Sequence, residues 1–376
     1  MFLFPRRKYR HLNKVLVSRS ALQQNFQALQ AAHPEAKVCP VIKSNAYGHG
    51  LQTVAPIFDS FGYPFLIVDS LYEAYELSKL QVQTPILILG YTFPENFQAK
   101  RVPYHFAVYD LEVAQALNKY QPGCKVHVFI DTGMRREGIQ LTELPVFLDQ
   151  LLLLKNIEIE GVTSHFSDAD NSKDMEFTRK QVTVFKMALK EFEKRGITPK
   201  WRHISASGAT FKVQDKTFNL LRVGLASYGI HPLEEKDVAY DTLSLQPAMR
   251  FVSTVVQIKE ISPGDEVGYS RSFTAKKKMI IGILPAGYYE GVDRRLSNLG
   301  VIKVRGVYCP ILGRVSMNMT TIDLTHIPDA EVGDEAEVFS NNPDDENFVK
   351  KQAVAGSISY ELFVHIAESV RREVVE

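Results

Sequence analysis

The sequence predicts a (β/α)8 TIM barrel followed by a C-terminal, mostly β domain. Short apolar runs typical of strands alternate with segments of helical spacing as far as Gly224, which indicates parallel strands joined by helices. Eight such runs suit a closed barrel, and the GxGxxG turn of an open dinucleotide-binding sheet is missing after the early runs. Beyond Leu243 the pattern changes to short alternating runs between turn residues, which indicates an all-β domain.

The barrel elements follow from these patterns in chain order. The eight predicted strands are Val38–Ile42, Pro64–Val68, Pro85–Leu89, His105–Tyr109, Lys125–Ile130, Ile157–Thr163, Trp201–Ser205 and Leu220–Gly224. Between them, helical spacing predicts Leu71–Leu80, Leu111–Tyr120, Leu141–Leu153 and Phe177–Arg195. We expect residues 1–243 to form the barrel domain, although 1–18, which include the early strand Lys14–Ser18, are expected to pair either with it or with the β domain.

Residues 244–376 are expected to form the β domain. Its predicted strands are Met249–Ile258, Met279–Leu284, Val301–Val307, Met319–Leu324 and Glu335–Phe339, with a turn at Ser262–Asp265. The final segment, Lys350–Val370, is compatible with a strand beside a helix.

Composition favours a small-molecule partner. The 376 residues carry 44 Lys and Arg against 43 Asp and Glu, so no single-signed field attracts nucleic acid or a membrane surface. The longest apolar run, Met279–Tyr289, is too short and too broken to span a bilayer. The N-terminus lacks the order of a secretory signal, and three widely spaced cysteines suggest buried, reduced thiols, so we expect a cytoplasmic protein.

Chemically useful side chains stand at the ends of the predicted barrel strands, where the βα loops form active sites. The first strand ends at Lys43, which is followed by glycines that allow a tight turn and is suited to form a Schiff base. The loops after the seventh and eighth strands are where barrels commonly bind phosphate. A strand-end lysine beside a phosphate site suggests pyridoxal 5'-phosphate as the cofactor.

Lys43 also belongs to the first of eight motifs that run through nearly the whole chain. They are, in order, Val41–Gly50, Asp131–Met134 with Arg136, Ser164–Phe166, Arg222–Gly224 with Tyr228–Gly229, Gly268–Ser270, Pro285–Tyr288, Gly313–Arg314 with Met317, and Ser359–Glu361. In residue type and order, these motifs closely resemble those of the alanine racemase family. The resemblance implies a cytoplasmic, pyridoxal-phosphate-dependent isomerase that interconverts L-alanine and D-alanine and supplies D-alanine for peptidoglycan.

The resemblance also implies how the cofactor is held. Lys43 would carry it as a Schiff base, and Arg222 would face its pyridine nitrogen. Because a guanidinium keeps its proton, that nitrogen would remain an acceptor and the cofactor would be a weaker electron sink. His165 would support Arg222 or Tyr269. The phosphate would be held by hydroxyls and backbone amides of Tyr47, Ser207, Gly224, Leu225 and Tyr360.

Racemisation needs two bases, because the Cα proton leaves from one face and a proton returns to the other. Lys43 serves one face, and the resemblance implies that Tyr269 serves the second from the partner subunit of a homodimer. Without the resemblance, Tyr269 is an edge-strand tyrosine. Arg136 and the backbone of Met317 would bind the substrate carboxylate, with Tyr288 also at the substrate.

Three positions depart from the family pattern. Phe129 stands where the family often has a lysine, modified to a carbamate, that positions the substrate arginine. Arg136 must therefore be held by a bound anion or by another side chain. Asn318 replaces a common aspartate and Ser316 a frequent cysteine, which changes the charge beside the carboxylate site.

Other functions remain open at this point. A racemase of serine, or of a broader set of amino acids including lysine, keeps the fold and cofactor. A non-catalytic pyridoxal-phosphate-binding protein is disfavoured because its short relatives lack the β domain. A decarboxylase of similar architecture is disfavoured by Arg222, since an acid would be expected at the pyridine nitrogen.

Overall fold

The computed structural model describes residues 9–171, 173–352 and 357–376. It confirms the predicted barrel of eight parallel strands, which we call barrel strands 1 to 8. They are, in order, Lys37–Pro40, Leu66–Val68, Ile86–Ile88, His105–Val108, Cys124–Asp131, Ile157–Thr163, Trp201–His203 and Leu220–Val223.

Hydrogen bonding joins these strands in sequence order. Strands 2 to 7 form a continuous parallel sheet, strand 8 pairs with strand 1, and a parallel bridge between Val41 and Ile67 connects strands 1 and 2. Between strands 7 and 8, the backbone nitrogen of Asn219 donates to the carbonyl of Arg202 at 3.1 Å. The Tyr228 hydroxyl, from the motif after strand 8, donates to the carbonyl of Val41 at 3.0 Å. The C-terminal ends of all eight strands thus share one rim, as a barrel requires.

Helices connect the barrel strands. They span Arg19–Ala32, Leu51–Asp59, Leu71–Lys79, Leu111–Tyr120, Leu144–Leu151, Glu176–Glu193 and Ser207–Lys212, and short 3₁₀ turns span Pro94–Gln98, Leu225–Tyr228 and Tyr240–Thr242. The helix at Leu71 begins with a complete capping box between Ser70 and Glu73. Asp110 caps the next helix, accepting from the nitrogen of Val113. None of the helices among the described residues is long and apolar enough to cross a membrane.

The chain divides into two compact units. The barrel unit comprises Ser20–Ala46 and Val54–Gln246, and the β unit comprises the residues up to Arg19, Tyr47–Thr53 and the residues from Pro247. In the β unit, Lys14–Ser18 runs antiparallel to Met249–Thr254 and parallel to Arg371–Val375. Residues 1–8, part of the segment whose pairing the sequence left open, lie outside the described residues.

The described residues of the β unit form three sheets. The largest has six strands, in the order Val307–Pro310, Val301–Val304, Glu335–Phe339, Met249–Thr254, Lys14–Ser18 and Arg371–Val375. The others are Gln257–Ile261 with Met279–Leu284 and Thr320–Asp323, and the pair Glu266–Val267 with Phe273–Thr274. A 3₁₀ turn spans Arg294–Leu296, and short helices span Val349–Gln352 and Ser359–Val364.

Two predicted strands of the β domain are each divided in the structure. The run Met249–Ile258 breaks after Thr254, so that Gln257–Ile261 pairs in a different sheet. The run Val301–Val307 is a hairpin that turns at Arg305 and Gly306, whose φ values are 48° and 80°. These positive values match a two-residue hairpin turn, a signal that the apolar pattern obscured. The last strand begins at Arg371, just beyond the predicted segment.

Candidate active site

Lys43 stands at the C-terminal rim of the barrel, directly after strand 1. The four residues that follow, Ser44 to Tyr47, all adopt left-handed backbone angles, with φ values of 54°, 53°, 53° and 52°. Each non-glycine residue in this conformation costs roughly 1–2 kcal/mol, so the surrounding structure must hold the turn in place. The Lys43 ammonium is half-exposed and donates to Asp69 Oδ1 at 3.1 Å. The sequence predicted a tight turn here but attributed it to the glycines.

Glu73 holds this left-handed turn against barrel strand 2. Its carboxylate accepts from the backbone nitrogen of Ser44 at 2.6 Å. It also accepts from the nitrogens of Asp69 at 2.9 Å and Ser70 at 3.2 Å. One carboxylate therefore joins the lysine turn, the end of strand 2 and the start of a helix. Sequence reasoning missed Asp69 and Glu73, although the Ser70-x-x-Glu73 pattern is a recognisable capping box.

Arg222, on strand 8, is 2% exposed. Its Nη1 donates to Thr163 Oγ1 at 3.0 Å and to His203 Nδ1 at 2.9 Å. Its Nη2 donates to the carbonyl of Ser164 at 2.7 Å and to His165 Nδ1 at 3.0 Å. Burial and the nearby charge of Arg136 lower the pKa of Arg222 to about 9, so the guanidinium remains charged at neutral pH. Its orientation is fixed from both sides by the ends of strands 6 and 7.

His165 follows strand 6 and is neutral. Burial, followed by the charges of Arg222, Arg136 and Lys43, lowers its pKa to about 3. Because a guanidinium can only donate, His165 Nδ1 is the acceptor and its Nε2 carries the proton. Arg222 contacts this uncharged imidazole, and the positive charges of Arg136 and Lys43 also act on it, as expected for a site that receives anions.

The predicted phosphate residues of the barrel lie together after strands 7 and 8. Ser207 Oγ accepts from the backbone nitrogens of Gly224 at 3.1 Å and Ala226 at 3.3 Å. Leu225 is buried and begins the 3₁₀ turn that follows strand 8. These two amides hold the Ser207 hydroxyl in place, and a hydroxyl so placed is a donor of the kind that a phosphate group requires.

Arg136 lies in the loop after strand 5, and its Nε forms an ion pair with Glu137 Oε2. Phe129, at the position of the expected anion-bearing lysine, is 4% exposed. Arg135 has a φ of 59° and pairs instead with Asp131, at 3.2 Å. Glu137 thus places a carboxylate beside the predicted substrate arginine. Sequence reasoning had left that support unidentified.

In the β unit, Tyr269 is 70% exposed and does not belong to an edge strand. It begins a 3₁₀ turn between Gly268, with φ of 77°, and Ser270, with φ of 59°. A Cβ on Gly313 would lie 2.7 Å from the carbonyl oxygen of Val267, so the backbone passes closely behind this turn. This close approach accounts for the glycine in the Gly313–Arg314 motif.

The other predicted residues of the β unit form two groups. The backbone nitrogen of Tyr288 donates to the carbonyl of Ser316 at 3.0 Å, and Met317, in the same loop pair, is 56% exposed. Asn318 donates to Glu290 Oε1 at 2.8 Å. The rings of Tyr47 and Tyr360 lie 6.0 Å apart, centroid to centroid.

Comparisons with known proteins cover both halves of the chain. The model of the alanine racemase N-terminal domain matches residues 17–232, and that of the C-terminal domain matches residues 248–374. Alanine racemase 2 of Caldanaerobacter subterraneus is 36% identical over 87% of this chain and 85% of its own. Alanine racemase 1 of Clostridium acetobutylicum is 33% identical over 97% of this chain and 96% of its own.

Solved structures agree with these matches. Alanine racemase of Clostridium difficile has a TM-score of 0.91 and 30% identity, covering 98% of this chain and 97% of that one. Alanine racemase of Bacillus anthracis, solved with bound L-Ala-P, has a TM-score of 0.90 and 29% identity, covering 98% and 96%.

Proposed function

Because the chain belongs to the alanine racemase family, we propose that it interconverts L-alanine and D-alanine with pyridoxal 5'-phosphate. The family assignment confirms the one that the sequence motifs predicted. It is an isomerase that acts on a small amino acid. The observation that carries the scheme is the hydrogen bond of the buried Arg222 to the neutral His165, on which the positive charges of Arg136 and Lys43 also act. Such a cationic rim is suited to an anionic cofactor and to the carboxylate of an amino acid.

The barrel residues fit pyridoxal phosphate on three counts. Lys43 supplies a primary amine at the rim. Ser207 supplies a hydroxyl donor of the kind that binds phosphate, held in place by the backbone nitrogens of Gly224 and Ala226. Arg222 supplies a fixed, charged donor. The roles of Leu225, Tyr47 and Tyr360 at the phosphate stay predictions from the family resemblance.

When bound, pyridoxal phosphate supplies an aldehyde that condenses with amines and a conjugated ring that delocalises negative charge from the substrate Cα. Lys43 holds the cofactor and, when released by the substrate, its amine moves a proton at Cα on one face. The Tyr269 hydroxyl moves a proton on the opposite face, so that removal on one side and return on the other invert the centre. Asp69 holds the Lys43 ammonium when the amine is protonated.

Arg222 would donate toward the pyridine nitrogen of the cofactor, and its hydrogen bonds with His165 and His203 prevent it from turning away. Because a guanidinium keeps its proton, Arg222 would leave that nitrogen unprotonated and the ring a weaker electron sink, which would limit side reactions. His165 donates from Nε2 toward the Tyr269 hydroxyl and stabilises its deprotonated form.

Arg136 binds the substrate carboxylate, with Glu137 orienting the guanidinium in place of the carbamate that Phe129 excludes. The backbone of Met317 and the side chain of Tyr288 contribute to the same subsite. Tyr269 and Met317 come from a second copy of the chain, so the active enzyme is a homodimer with shared sites. The exposure of Tyr269 supports this, because a phenol on a strained, exposed turn is available to a partner.

The reaction is assigned to the cytoplasm, where D-alanine enters peptidoglycan precursors. Cys39, Cys124 and Cys309 are unpaired and buried, which suits a reducing compartment.

A broader amino-acid racemase is the second candidate. Asn318 stands where the family commonly has an aspartate, and it bonds to Glu290. Loss of a negative charge beside the carboxylate subsite changes the electrostatics of the site and therefore its selectivity for the substrate side chain.

The defining experiment is racemisation by the purified holoenzyme, followed through D-amino-acid oxidase coupling, with L-alanine, L-serine and L-lysine as substrates. We expect alanine to have the highest kcat/KM. Comparable values for serine or lysine would establish the broader racemase. Cofactor binding with no turnover of any of the three would reject racemase activity.

A further inference from the structure

A cluster of four ionisable side chains lies on barrel strands 4, 5 and 6, away from the rim that carries Lys43. Glu160, on strand 6, is 5% exposed and His127, on strand 5, is fully buried. Glu160 Oε2 lies 2.8 Å from His105 Nδ1 and 3.8 Å from His127 Nε2, and Lys125 donates to Glu160 Oε1 at 2.9 Å. The proposed reaction uses none of these residues.

The backbone is shaped to admit this cluster. Strand 6 shifts register against strand 5 so that Ile159 pairs with Val126 and Gly161 with His127, which leaves Glu160 as an unpaired bulge residue. A bulge changes the direction in which its side chain points. A Cβ on Gly161 would lie 2.4 Å from His127 Nδ1, so only glycine leaves room for the imidazole.

Two imidazoles connect the cluster to Arg222. Arg222 Nη1 donates to His203 Nδ1 at 2.9 Å, and His203 Nε2 lies 2.7 Å from His127 Nδ1. Because a guanidinium has no acceptor, His203 Nδ1 must be bare and its Nε2 must carry the proton. That proton occupies the bond to His127 Nδ1, so His127 carries its own proton on Nε2, the nitrogen on the Glu160 side. The arginine therefore sets the tautomer of both rings.

The charges at the two ends are complementary. Arg222 makes its hydrogen bonds to hydroxyl, carbonyl and imidazole acceptors, and no described carboxylate pairs with it directly. Burial lowers the pKa of His127 to about 4 and that of His203 well below its ordinary value, so both rings are neutral. Burial raises the pKa of Glu160, but the neighbouring side chains of His105, His127 and Lys125 outweigh it and lower the pKa overall.

We propose that Glu160 is a positioning residue for Arg222, acting as its distant counter-charge through the neutral, tautomer-locked pair His203 and His127. A buried cation needs a compensating charge, and the hydrogen-bonded chain from Arg222 through His203 ends at His127, whose Nε2 lies 3.8 Å from the Glu160 carboxylate. Each imidazole turns its bare nitrogen toward Arg222 and its N–H toward Glu160, so both ring dipoles favour a positive charge at position 222. This proposal rests on the proposed function, in which Arg222 faces the cofactor.

A divalent metal ion is the competing occupant of the cluster. Ligand atoms of His105, His127 and Glu160 all lie within 4.8 Å of one another. A metal requires the bare lone pair of His127 Nε2, whereas the chain from Arg222 puts a proton there. Metal binding would shift both rings to the other tautomer, in which the Nδ1–H of His203 faces the N–H groups of Arg222. A metal ion at this cluster and the proton on His127 Nε2 therefore exclude each other.

The first test reads the tautomers directly in the holoenzyme. Histidine labelled with ¹⁵N, with resonances assigned by the variants His127→Gln and His203→Gln, should show both rings protonated at Nε2 and bare at Nδ1. Neither ring should titrate between about pH 5.5 and 9. A proton on Nδ1 of either ring, or titration of either in that range, overturns the proposal. This measurement needs no turnover, so it stands even if the racemase assignment fails.

The second test removes the charge while keeping an acceptor. Glu160→Gln should bind pyridoxal phosphate and lower kcat by roughly tenfold to a hundredfold with KM changed much less, because Arg222 loses its counter-charge while its hydrogen bonds remain. Glu158→Gln removes an exposed charge from the same strand and should leave kcat unchanged. Equal effects of the two variants, or an unchanged kcat in Glu160→Gln, reject the role of Glu160. If Glu160→Gln does not fold, Glu160→Asp, which keeps the charge, should retain activity well above that of Glu160→Ala.

The third test adds Zn²⁺ to the metal-free holoenzyme in equilibrium dialysis. We expect no stoichiometric binding that depends on Glu160. If the wild-type protein binds one equivalent of Zn²⁺ and Glu160→Gln does not, the cluster is a metal site and the proposed role of Glu160 is rejected.

Discussion

The Glu73 carboxylate accepts a hydrogen bond at 2.6 Å from the backbone nitrogen of Ser44, the first left-handed residue after Lys43. The two residues come from different βα units, so the conformation of the lysine turn depends on the neighbouring strand. Glu73 has no direct contact with the Lys43 amine, but it fixes the backbone that presents it.

Glu73→Ala should therefore destabilise the protein and weaken cofactor binding together. Loss of an acceptor shared by three backbone donors should cost about 1–3 kcal/mol of unfolding free energy, measured by urea denaturation. Pyridoxal phosphate affinity, measured by absorbance titration, should fall as the turn loosens. The control Glu76→Ala removes only the partner of the exposed Lys79 and should change stability by less than about 1 kcal/mol. Equal stability of the two variants would show that Glu73 does not hold the turn.

Lys43→Ala and Tyr269→Phe should separate cofactor attachment from proton transfer. Lys43→Ala should lose both the yellow colour of the lysine-bound cofactor and activity, because no amine remains at the rim. Tyr269→Phe should keep the colour and lose at least about 100-fold in kcat, as expected for removal of a general base. Full activity of the tyrosine variant, assayed from both L-alanine and D-alanine, would eliminate the two-base scheme.

Mixing these two inactive variants tests whether the site is shared between subunits. A mixed dimer has one site with Lys43 from one chain and Tyr269 from the other. Random exchange should restore about a quarter of the wild-type activity, since half the dimers are mixed and each has one intact site. The co-expressed chains, carrying two different tags, would be purified and assayed. A mixed dimer that stays inactive while both homodimers bind cofactor would place Tyr269 in the site of its own chain.

Glu137→Gln should raise the KM for alanine by roughly tenfold with a smaller change in kcat, since Glu137 orients Arg136 and takes no part in proton transfer. Added chloride or acetate should partly restore KM by supplying an anion. Glu143→Gln, an exposed position in the same segment, serves as the matched control. Identical KM values for Glu137→Gln and wild type would leave Arg136 without an identified support.

The pKa of His165 predicts how stability depends on pH. Its value of about 3 in the folded protein lies below the ordinary 6.5, so the unfolded chain binds the extra proton. The unfolding free energy should therefore fall as the pH drops below about 6.5, by up to about 1.4 kcal/mol per pH unit from this residue. His165→Gln should show a shallower slope in urea denaturation between pH 7 and pH 5. Because His127 and His203 also have lowered pKa values, some slope should remain. Parallel slopes in wild type and variant would mean that His165 is protonated in the folded state.

Local pattern alone predicted the barrel. Ile157–Thr163 and Leu111–Tyr120 have the predicted bounds, because strand and helix periodicity is written into neighbouring residues. The motif order also predicted the family, and with it Lys43, Arg222 and His165. Periodicity failed at Val301–Val307, where Arg305 and Gly306 reverse the chain inside an apolar run.

The tertiary structure alone decided which distant side chains meet. The contact of Glu73 with Ser44, and the placement of Glu160 near Arg222 by way of His127 and His203, were not deduced from the sequence. Most of these partners lie on different strands, and curvature of the sheet and a one-residue bulge determine which side chains point inward together. Secondary structure is determined largely by residues that are near one another in the chain. The orientation of the site residues is determined by contacts between residues that are distant in the chain.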